Sequence, residues 1–362
     1  MISEVQFGQN SAETEAAVVN GLVSAIIPVF NRPQMLREAV SSVLAQTYRP
    51  IEIIIVDDGS TDGTADVCDE LAAEHAGVIR AVHQPNRGPG AAREAGRRLA
   101  RGSYIQYLDS DDLLQPAKFH AQVSALEEHP ECGAAYCCCR HYLVGETPRN
   151  VAWKKSGMTF EAMYPLMLVE RWWDTPCPLW RRSVCDAVGP WTDLRLEEDW
   201  EYDCRAAALG TRLVHCREFL ADIRDHGQGR LSRGSARSAE RMRHRARAHR
   251  LMYGHALRAG ITPDSPYMRL FARSLFLLAR QCGAAGLAEE SRDLFDLARQ
   301  ASGDARARGR DFAIYGRVAR LFGWRAAGRL ACWFDTARDC LTAQSEGTAT
   351  DQLASLAQNE FR

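Results

Sequence analysis

The sequence predicts an α/β protein: a doubly wound, mostly parallel sheet in the N-terminal part, followed by a mostly helical C-terminal part. Two observations lead to this prediction. Short apolar segments alternate with amphipathic segments over the first third of the chain, an order typical of right-handed βαβ units. From Met252 onward, apolar residues instead recur at helical spacing.

The first four strands are predicted from short β-rich apolar runs at Val23–Pro28, Ile51–Val56, Val78–His83 and Tyr104–Leu108. Proline and turn residues mark the helices between and after them: one from Pro33, then Thr64–Glu74, Pro89–Ala100 and Pro116–Glu128. After Cys139 the alternation fades. The C-terminal helices are predicted at Tyr267–Cys282, Glu289–Ala301, Phe312–Phe322 and Ala326–Cys340. The segment from Leu287 resembles one tetratricopeptide helix pair, whereas a solenoid needs about three.

Composition excludes several classes of protein. The 362 residues are 46% hydrophobic and 25% charged, which excludes disordered and fibrous chains. Lys and Arg number 45 and Asp and Glu 46, so no global field favours nucleic acid, and we expect no nucleic-acid partner. The twelve cysteines are scattered, which favours reduced thiols in the cytoplasm.

No targeting or membrane-spanning segment is predicted. The first twenty residues contain no Lys or Arg, so the basic region of a signal peptide is missing. The longest uncharged stretch near the start, Ala16–Phe30, is shorter than the ~18 residues that a membrane helix needs.

Two later segments contain several arginines, and the sequence leaves two or more roles open for each. Arg224–Arg250 contains nine arginines against two acids, which is typical of a solvated helix or connector, or of a contact with phosphate groups or a membrane surface. Ala313–Phe334 is amphipathic and carries arginines, so it is expected either to pack against the neighbouring helices or to lie on a membrane. The tail from Thr342 is polar.

Polar residues follow each predicted strand. The strand ends read Phe30-Asn31-Arg32, Asp57-Asp58, Gln84–Arg87 and Asp109–Asp112. In doubly wound sheets, ligands bind beyond the carboxyl ends of the strands. The acids and arginines there suit a metal and a phosphorylated ligand. Taken singly, Asp57–Asp62 also fit turn and N-cap chemistry, and Asp112 fits a cap of the next helix.

Three stretches carry a family resemblance, in the family's order and spacing: VSAIIPVFNRPQMLREAVSSVLAQTYRPIEIIIVDDGSTDGT, QPNRGPGAAREAG and ARGSYIQYLDSDDLLQPAKF. They resemble the family 2 glycosyltransferases of the GT-A, Rossmann-like fold. The close match covers about Val23–Phe119 and a looser one reaches about Ser232. We therefore expect an N-terminal tail over 1–21, a GT-A domain over 22–232, a helical domain over 233–341 and a tail over 342–362.

The resemblance implies transfer of a sugar from a nucleotide diphosphate donor to an acceptor hydroxyl, with inversion. A UDP-linked donor is the first expectation, with dTDP and GDP as alternatives. The acceptor is expected to be a glycan or a lipid-linked precursor of the bacterial cell envelope. Such an enzyme is expected in the cytoplasm, with peripheral contact to anionic lipid at the inner membrane face.

The resemblance also assigns residues. The nucleotide is expected to contact Pro28, Phe30, Arg32 and Asp58, with Asn86 and Arg87 nearby. Asp109-Ser110-Asp111 matches the DxD signature, in which Asp111 binds Mn²⁺ or Mg²⁺ and Asp109 binds the ribose or the metal. A carboxylate is needed to take the acceptor proton. It is assigned to Asp199, with Glu198 as the alternative, and His226 is expected to close over the diphosphate or metal.

Two residues depart from the family pattern, and two other classes compete with it. Glu94 stands where the family usually has Asn, and Gly90 where a small polar residue is common. Helix propensity on an exposed face is the plain interpretation of Glu94. A dinucleotide oxidoreductase would need GxGxxG after the first strand, which is absent here. A degenerate transferase acting as a binding subunit through its helical part stays the alternative.

Overall fold

The computed structural model describes residues 17–226, 238–303 and 309–335. An eight-stranded sheet has the order β3-β2-β1-β4-β7-β6-β8-β5. Its strands are β1 (Val19–Val29), β2 (Ile51–Asp57), β3 (Ile79–His83), β4 (Gly102–Tyr107), β5 (Leu113–Leu114), β6 (Ala134–Leu143), β7 (Leu179–Arg181) and β8 (Leu213–Asp225).

The chain divides into two compact units. The sheet unit holds residues 17–159, 173–191 and 213–225, and the helical unit holds residues 160–172, 192–212 and the described residues from 226 onward. The expected division at 232 falls outside the described residues, as do 1–16 and the polar tail from 342. The domain bounds therefore stay a prediction.

The four predicted strands are confirmed as the parallel half of the sheet. β1 pairs in parallel with β2 and β4, and β2 pairs in parallel with β3. β2 is buried along its whole length, as its continuous apolar run predicts for a strand covered on both faces. Parallel pairing brings the carboxyl ends of β1, β2, β3 and β4 to one edge of the sheet.

The other half of the sheet is mixed. β7 lies antiparallel between β4 and β6, while β6 and β8 pair in parallel. The run Cys137-Cys138-Cys139 forms the buried middle of β6. All eleven described cysteines are buried free thiols.

The helices of the sheet unit are α1 (Pro33–Leu44), α2 (Thr64–Glu74), α3 (Pro89–Leu99), α4 (Lys118–Glu128) and α5 (Arg182–Val188). Proline stands in the first turn of α1 and of α3, where its missing N–H costs no hydrogen bond. Small residues let α3 approach the sheet. A Cβ at Gly96 would lie 2.4 Å from Cγ2 of Ile26, so α3 sits against β1.

The helical unit is built from α6 (Glu198–Ala208), α7 (Ala239–Arg258), α8 (Pro266–Ala284), α9 (Ala288–Ala301) and α10 (Arg310–Phe322), and the chain is helical again over 324–335. α8 and α9 form the predicted hairpin, with Gly286 at φ +88° in its turn. A Cβ at Gly328 would lie 2.4 Å from the Ala284 nitrogen, so the helix over 324–335 packs closely on α8. The predicted helix Ala326–Cys340 is described as far as residue 335.

No helix among the described residues is both long enough and apolar enough to cross a membrane.

Candidate active site

The end of β1 is tied to the loop that follows β2. Asn31 has a left-handed backbone, with φ at +52°. Its N–H donates to Ser60 Oγ at 2.9 Å, and its Oδ1 accepts from the Thr61 N–H at 2.8 Å. The N–H of Arg32 donates to Thr64 Oγ1 at 3.0 Å. These bonds fix the backbone from which the Arg32 side chain projects.

Asp58 is a buried clamp for the loop after β3. Its Oδ1 accepts from Gln84 Nε2 at 2.7 Å and from the Arg87 N–H at 2.9 Å, and its Oδ2 accepts from the Gly88 N–H at 2.8 Å. Asp58 is only 4% exposed. Its visible role is therefore to hold the loop that leads into α3. The contact with a nucleotide stays a prediction.

The same loop lies directly against Gly59. Gly59 has φ +74°, and a Cβ there would lie 2.7 Å from the backbone nitrogen of Asn86. Only glycine meets both demands without strain. Asn86 and Arg87 are exposed, so their side chains are accessible to a ligand at this edge of the sheet.

Asp109, the first acid of the DxD signature, is held by Arg93 of α3. Arg93 Nη2 lies 2.6 Å from Asp109 Oδ1. The Arg93 side chain is 3% exposed and that of Asp109 is 32% exposed, so a fixed cation presents a partly accessible carboxylate. The Arg93 guanidinium lies 4.9 Å from the ring centre of Trp191, a cation–π contact. Trp191 in turn packs edge-on against Tyr107.

Asp111, the second acid, pairs with Arg32. Arg32 Nη1 lies 3.1 Å from Asp111 Oδ2. These two residues come from the ends of β4 and β1, as the pattern of polar strand ends predicts. The expected grouping of acids and arginines at this edge is therefore present for Arg32, Asp109 and Asp111.

Asp112 does not cap the following helix, which corrects one interpretation of this acid. It is buried, and its Oδ1 accepts from the Arg224 N–H at 3.0 Å. Arg224 Nε also donates to the Asp111 carbonyl at 2.6 Å, and its guanidinium forms an ion pair with Glu38. Burial, and then the charges of Asp111 and Asp109, raise the pKa of Asp112 well above its ordinary value.

The turn interpretation fits two other acids. Asp57 Oδ1 accepts from the Ser60 N–H at 3.0 Å, and Asp62 Oδ1 accepts from the Thr64 N–H at 3.1 Å at the start of α2. Both side chains shape the loop after β2.

The acidic end of β4 suits a divalent cation only together with a ligand. No group of three or more His, Cys, Asp or Glu side chains among the described residues could hold a metal alone. Mg²⁺ and similar cations are commonly held by one or two carboxylates and the oxygens of substrate phosphates. Asp109 and Asp111 supply such carboxylates, and the neighbouring arginines show that cations are stable beside them.

Glu94 is buried rather than exposed, which corrects the plain interpretation of this departure. It accepts from Arg97 Nε and Arg98 Nε at 2.9 Å each, and from the Trp191 N–H at 3.2 Å. Burial alone would raise the pKa of Glu94, but the hydrogen bonds from Arg97 and Arg98 lower it overall. Glu94 therefore fixes the backbone of the tryptophan on which Arg93 rests.

In the helical unit, Asp199 lies in the first turn of α6. Its Oδ2 is 2.7 Å from Arg171 Nη1, and Arg171 Nε donates to Asp203 Oδ2 at 2.8 Å. The Asp199 side chain is 25% exposed, whereas Glu198 is buried at 6%. Accessibility thus favours Asp199 over Glu198 for contact with a substrate.

The residue before this turn has an unusual backbone. Glu197 is at the N-cap of α6 with φ +59°, a region that non-glycine residues rarely occupy. Its carboxylate lies 2.8 Å from Arg245 Nε and 3.0 Å from His249 Nδ1 of α7. Burial would raise the pKa of Glu197, but His249 and then Arg245 lower it overall. α7 thus holds the turn that carries Asp199.

The remaining predicted residues are placed as follows. Pro28 is buried within β1, and Phe30, just beyond the strand, is 44% exposed. His226 follows β8 and is partly exposed, while the residues after it, through 237, lie outside the described part. Its role stays a prediction.

Sequence reasoning named Arg32 but missed two other cations that hold the acids, Arg93 and Arg171. Arg93 lies inside the quoted AAREAG stretch, and Arg171 lies outside every quoted stretch. An arginine two residues after the first alanine of that stretch was the available signal for Arg93.

Comparison with known proteins identifies the domain. The profile of Glycosyl transferase family 2 matches residues 24–183. A glycosyltransferase of Rickettsia felis is 45% identical over 107 residues, which are 30% of this chain and 17% of that protein. Glycosyltransferase GlyG of Streptococcus pneumoniae is 43% identical over 95 residues, 26% of this chain and 31% of that protein. The chain thus spans less than a third of the length of these curated relatives.

The fold is also found among solved structures. S. aureus TarS residues 1–349, solved in complex with UDP-GlcNAc, superposes with a TM-score of 0.60 at 16% identity, covering 84% of this chain and 90% of that one. At this identity the likeness shows the fold alone. Residues 24–183 thus carry a glycosyl transferase family 2 domain, as the family profile shows.

Proposed function

We propose that the protein is an inverting, metal-dependent glycosyltransferase that moves a sugar from a nucleotide diphosphate donor to an acceptor hydroxyl. One observation carries this proposal. Asp109 and Asp111, at the end of β4 in a family 2 domain, each face an arginine from a different element, Arg93 and Arg32. Alternating carboxylates and guanidinium groups suit a cation and a diphosphate at the same edge of the sheet.

Asp111, with Asp109, would hold Mn²⁺ or Mg²⁺. Such a cation, when bound, stabilises the negative charge that develops on a leaving diphosphate. Because Arg32 is already paired with Asp111, a bound cation would compete with this guanidinium. A displaced Arg32 would be available to the diphosphate, whose oxygens arginine binds well.

We assign the donor to the nucleotide sugars, with UDP first and dTDP or GDP as alternatives. S. aureus TarS, which shares the fold, was solved with UDP-GlcNAc, which supports the order of this choice. Exposed Phe30 offers a ring face for a base. Pro28, Arg32, Asp58, Asn86 and Arg87 complete the proposed nucleotide contacts, with His226 assigned to the diphosphate.

The proposed chemistry is a single displacement. The acceptor oxygen attacks the anomeric carbon from the face opposite the nucleotide, and the bond from that carbon to the diphosphate oxygen breaks. The bonding electrons leave with the diphosphate, and the hydroxyl proton passes to the Asp199 carboxylate. A single attack of this kind inverts the anomeric carbon.

For the acceptor we propose a glycan or a lipid-linked precursor of the bacterial cell envelope, reached from the cytoplasm through peripheral contact with anionic lipid. The family resemblance supports the class of acceptor. The near balance of 45 basic and 46 acidic side chains supports the expectation of no nucleic-acid partner.

Release of the nucleoside diphosphate tests the proposal. The full chain is incubated with UDP-, dTDP- and GDP-sugars, with Mn²⁺ or with a chelator, beside Asp199→Asn and the matched variant Asp203→Asn. We expect metal-dependent release from one donor, loss of release in D199N with donor binding kept, and residual release in D203N. If the protein binds a donor but releases no nucleoside diphosphate with any donor or acceptor tested, a degenerate binding subunit would be favoured instead.

A further inference from the structure

We propose that the outer faces of α10 and of the helix over 324–335 form a docking surface for an anionic lipid membrane. We call this set of residues the C-terminal face: Ile314, Arg317, Arg320, Leu321, Phe322, Arg325, Arg329, Leu330, Trp333 and Phe334. The inference deepens the proposed function, because it names the surface for the peripheral membrane contact.

The C-terminal face contains large apolar side chains of which an unusually large fraction is exposed. Leu321 is 76% exposed and Phe322 72%, and the others are Trp333 at 62%, Phe334 at 58%, Ile314 at 57% and Leu330 at 45%. Single exposed apolar residues are ordinary on soluble proteins, whereas clustered ones mark interaction sites. Six of them lie within 21 residues of chain, on two successive helices, and the rings of Trp333 and Phe334 are in contact.

These side chains are not the core-facing side of their helices. α10 turns Phe312 and Tyr315 inward, where both rings contact Phe276 and Phe295. The helix over 324–335 packs on α8 through Gly328. The inward faces of both helices are thus already covered, and the C-terminal face is a second apolar side.

Arginines accompany the apolar side chains at helical spacing. Arg317 lies between Ile314 and Leu321 on α10, and Arg325 and Arg329 are four residues apart beside Leu330. No described acid lies within ion-pair distance of Arg317, Arg320, Arg325 or Arg329. The nearby Asp335 is paired with Arg280 of α8.

The arginines of the Arg224–Arg250 segment differ from those of the C-terminal face, because most of the described ones pair with acids. On α7, Arg245 and Arg247 lie 2.8 Å and 2.7 Å from the carboxylates of Glu197 and Asp193. Arg243 and Arg250 face Glu290 and Asp293 of α9 at 3.5 Å and 3.6 Å. The charge of the described part of this segment is therefore largely used inside the helical unit.

Arginines that pair with no described acid, next to Trp, Phe and Leu, match the composition of helices that lie in a membrane interface. The guanidinium groups pair with anionic headgroups while the apolar side chains enter the acyl boundary. A protein partner would need acidic side chains placed opposite these arginines. A surface of anionic lipid headgroups needs no such fixed placement. Charge complementarity therefore favours anionic lipid as the occupant.

Flotation of the full chain with vesicles tests the inference. The vesicles are phosphatidylcholine alone or with ~30% phosphatidylglycerol, at low and high salt. The charge variant is R320Q/R325Q/R329Q, matched by R80Q/R149Q/R217Q, which removes the same charge from exposed sites of the sheet unit. The apolar variant is F322S/W333S/F334S, matched by V144S/V151S. Melting temperature and donor binding are measured for every variant.

We expect salt-sensitive binding to the anionic vesicles only. Each basic side chain near such a surface strengthens binding about fivefold, so the charge variant is expected to bind roughly 100-fold more weakly. The apolar variant should also lose binding, and both matched controls should keep it. Equal binding by either face variant, or no vesicle binding by the full chain, would overturn the inference.

Self-association of the full chain that the apolar variant abolishes, without vesicle binding, would assign the face to a second copy and would also overturn the inference. Donor binding is a separate readout, so a failure here is distinct from a failure of the proposed transfer activity.

Discussion

The guanidinium of Arg32 lies 3.1 Å from the carboxylate of Asp111, so an internal cation occupies the acid to which the DxD signature assigns a metal. A metal bound through the same oxygen would compete with this ion pair. The pair thereby links the end of β1, where a nucleotide is expected, to the end of β4.

Removing the Arg32 guanidinium should therefore raise the affinity of the ligand-free protein for the metal and lower its affinity for the donor. For Arg32→Met we expect Mn²⁺ to bind the ligand-free protein severalfold more tightly, because a competing charge is gone. Nucleoside diphosphate should bind more weakly. Titration calorimetry measures both, with Arg37→Met, on the helix that follows Arg32, as the control. Unchanged Mn²⁺ affinity in R32M would argue against competition at Asp111.

Arg93 is expected to position Asp109. Arg93→Met should destabilise the protein by about 2 kcal/mol, because it removes the charge-assisted hydrogen bond from the buried guanidinium to Asp109. Arg93→Lys should recover part of the loss, since lysine keeps the charge but not the planar fork. Chemical denaturation measures the free energy of unfolding. Arg80→Met, at an exposed site of β3, is the control and should cost under 1 kcal/mol. If R93M changed the free energy of unfolding no more than the control does, Arg93 would not be the residue that holds Asp109 in place.

Asp58 is expected to act first through the loop that it holds. Asp58→Asn places an NH₂ group against backbone N–H donors, so it should destabilise the protein by about 2 kcal/mol and weaken nucleotide binding. Asp62→Asn, in the turn before α2, should be nearly neutral because the asparagine Oδ1 can accept the same hydrogen bond from the Thr64 N–H. Hydrogen exchange at Arg87 and Gly88 should rise in D58N. Exchange that stays at the native rate would show that the loop does not depend on this clamp.

Glu94 gives a prediction with a defined pH dependence. Its folded pKa is below the unfolded value of 4.5, so the ionised carboxylate stabilises the fold above that value and the stabilisation is lost as pH falls through the folded pKa. Glu94→Gln should cost about 2 kcal/mol at neutral pH, and the difference from the native protein should shrink toward pH 3. Exposed Glu74→Gln is the control. An E94Q deficit that is constant across this range would contradict the ion-pair account.

The parallel half of the sheet could be predicted from the sequence because its signals are local. The α2 helix, Thr64–Glu74, begins and ends as predicted, since an aspartate-rich turn precedes it and its apolar residues keep helical spacing. The mixed half could not be predicted in the same way. β6 pairs with β8, distant along the chain, and β7 has only three residues, so neither produces a local periodic signal.

For the site, the sequence indicated the acids and Arg32, but not the other partners of the acids. Asp109 and Asp111 follow a strand in a recognisable pattern, whereas the buried state of Glu94 depends on donors from three residues, one of them the backbone of Trp191. Helix propensity contains no information about such a contact. The same holds for Arg171, which meets Asp199 only through the fold.

Binding of nucleoside diphosphates and nucleotide sugars, with and without Mn²⁺, tests the central claim most directly. We predict that one nucleotide raises the melting temperature of the native protein in a metal-dependent way, and that Asp111→Ala abolishes the shift while the fold is kept. The absence of a shift with every nucleotide, or an equal shift in D111A, would contradict the claim that this edge of the sheet binds a donor through a metal.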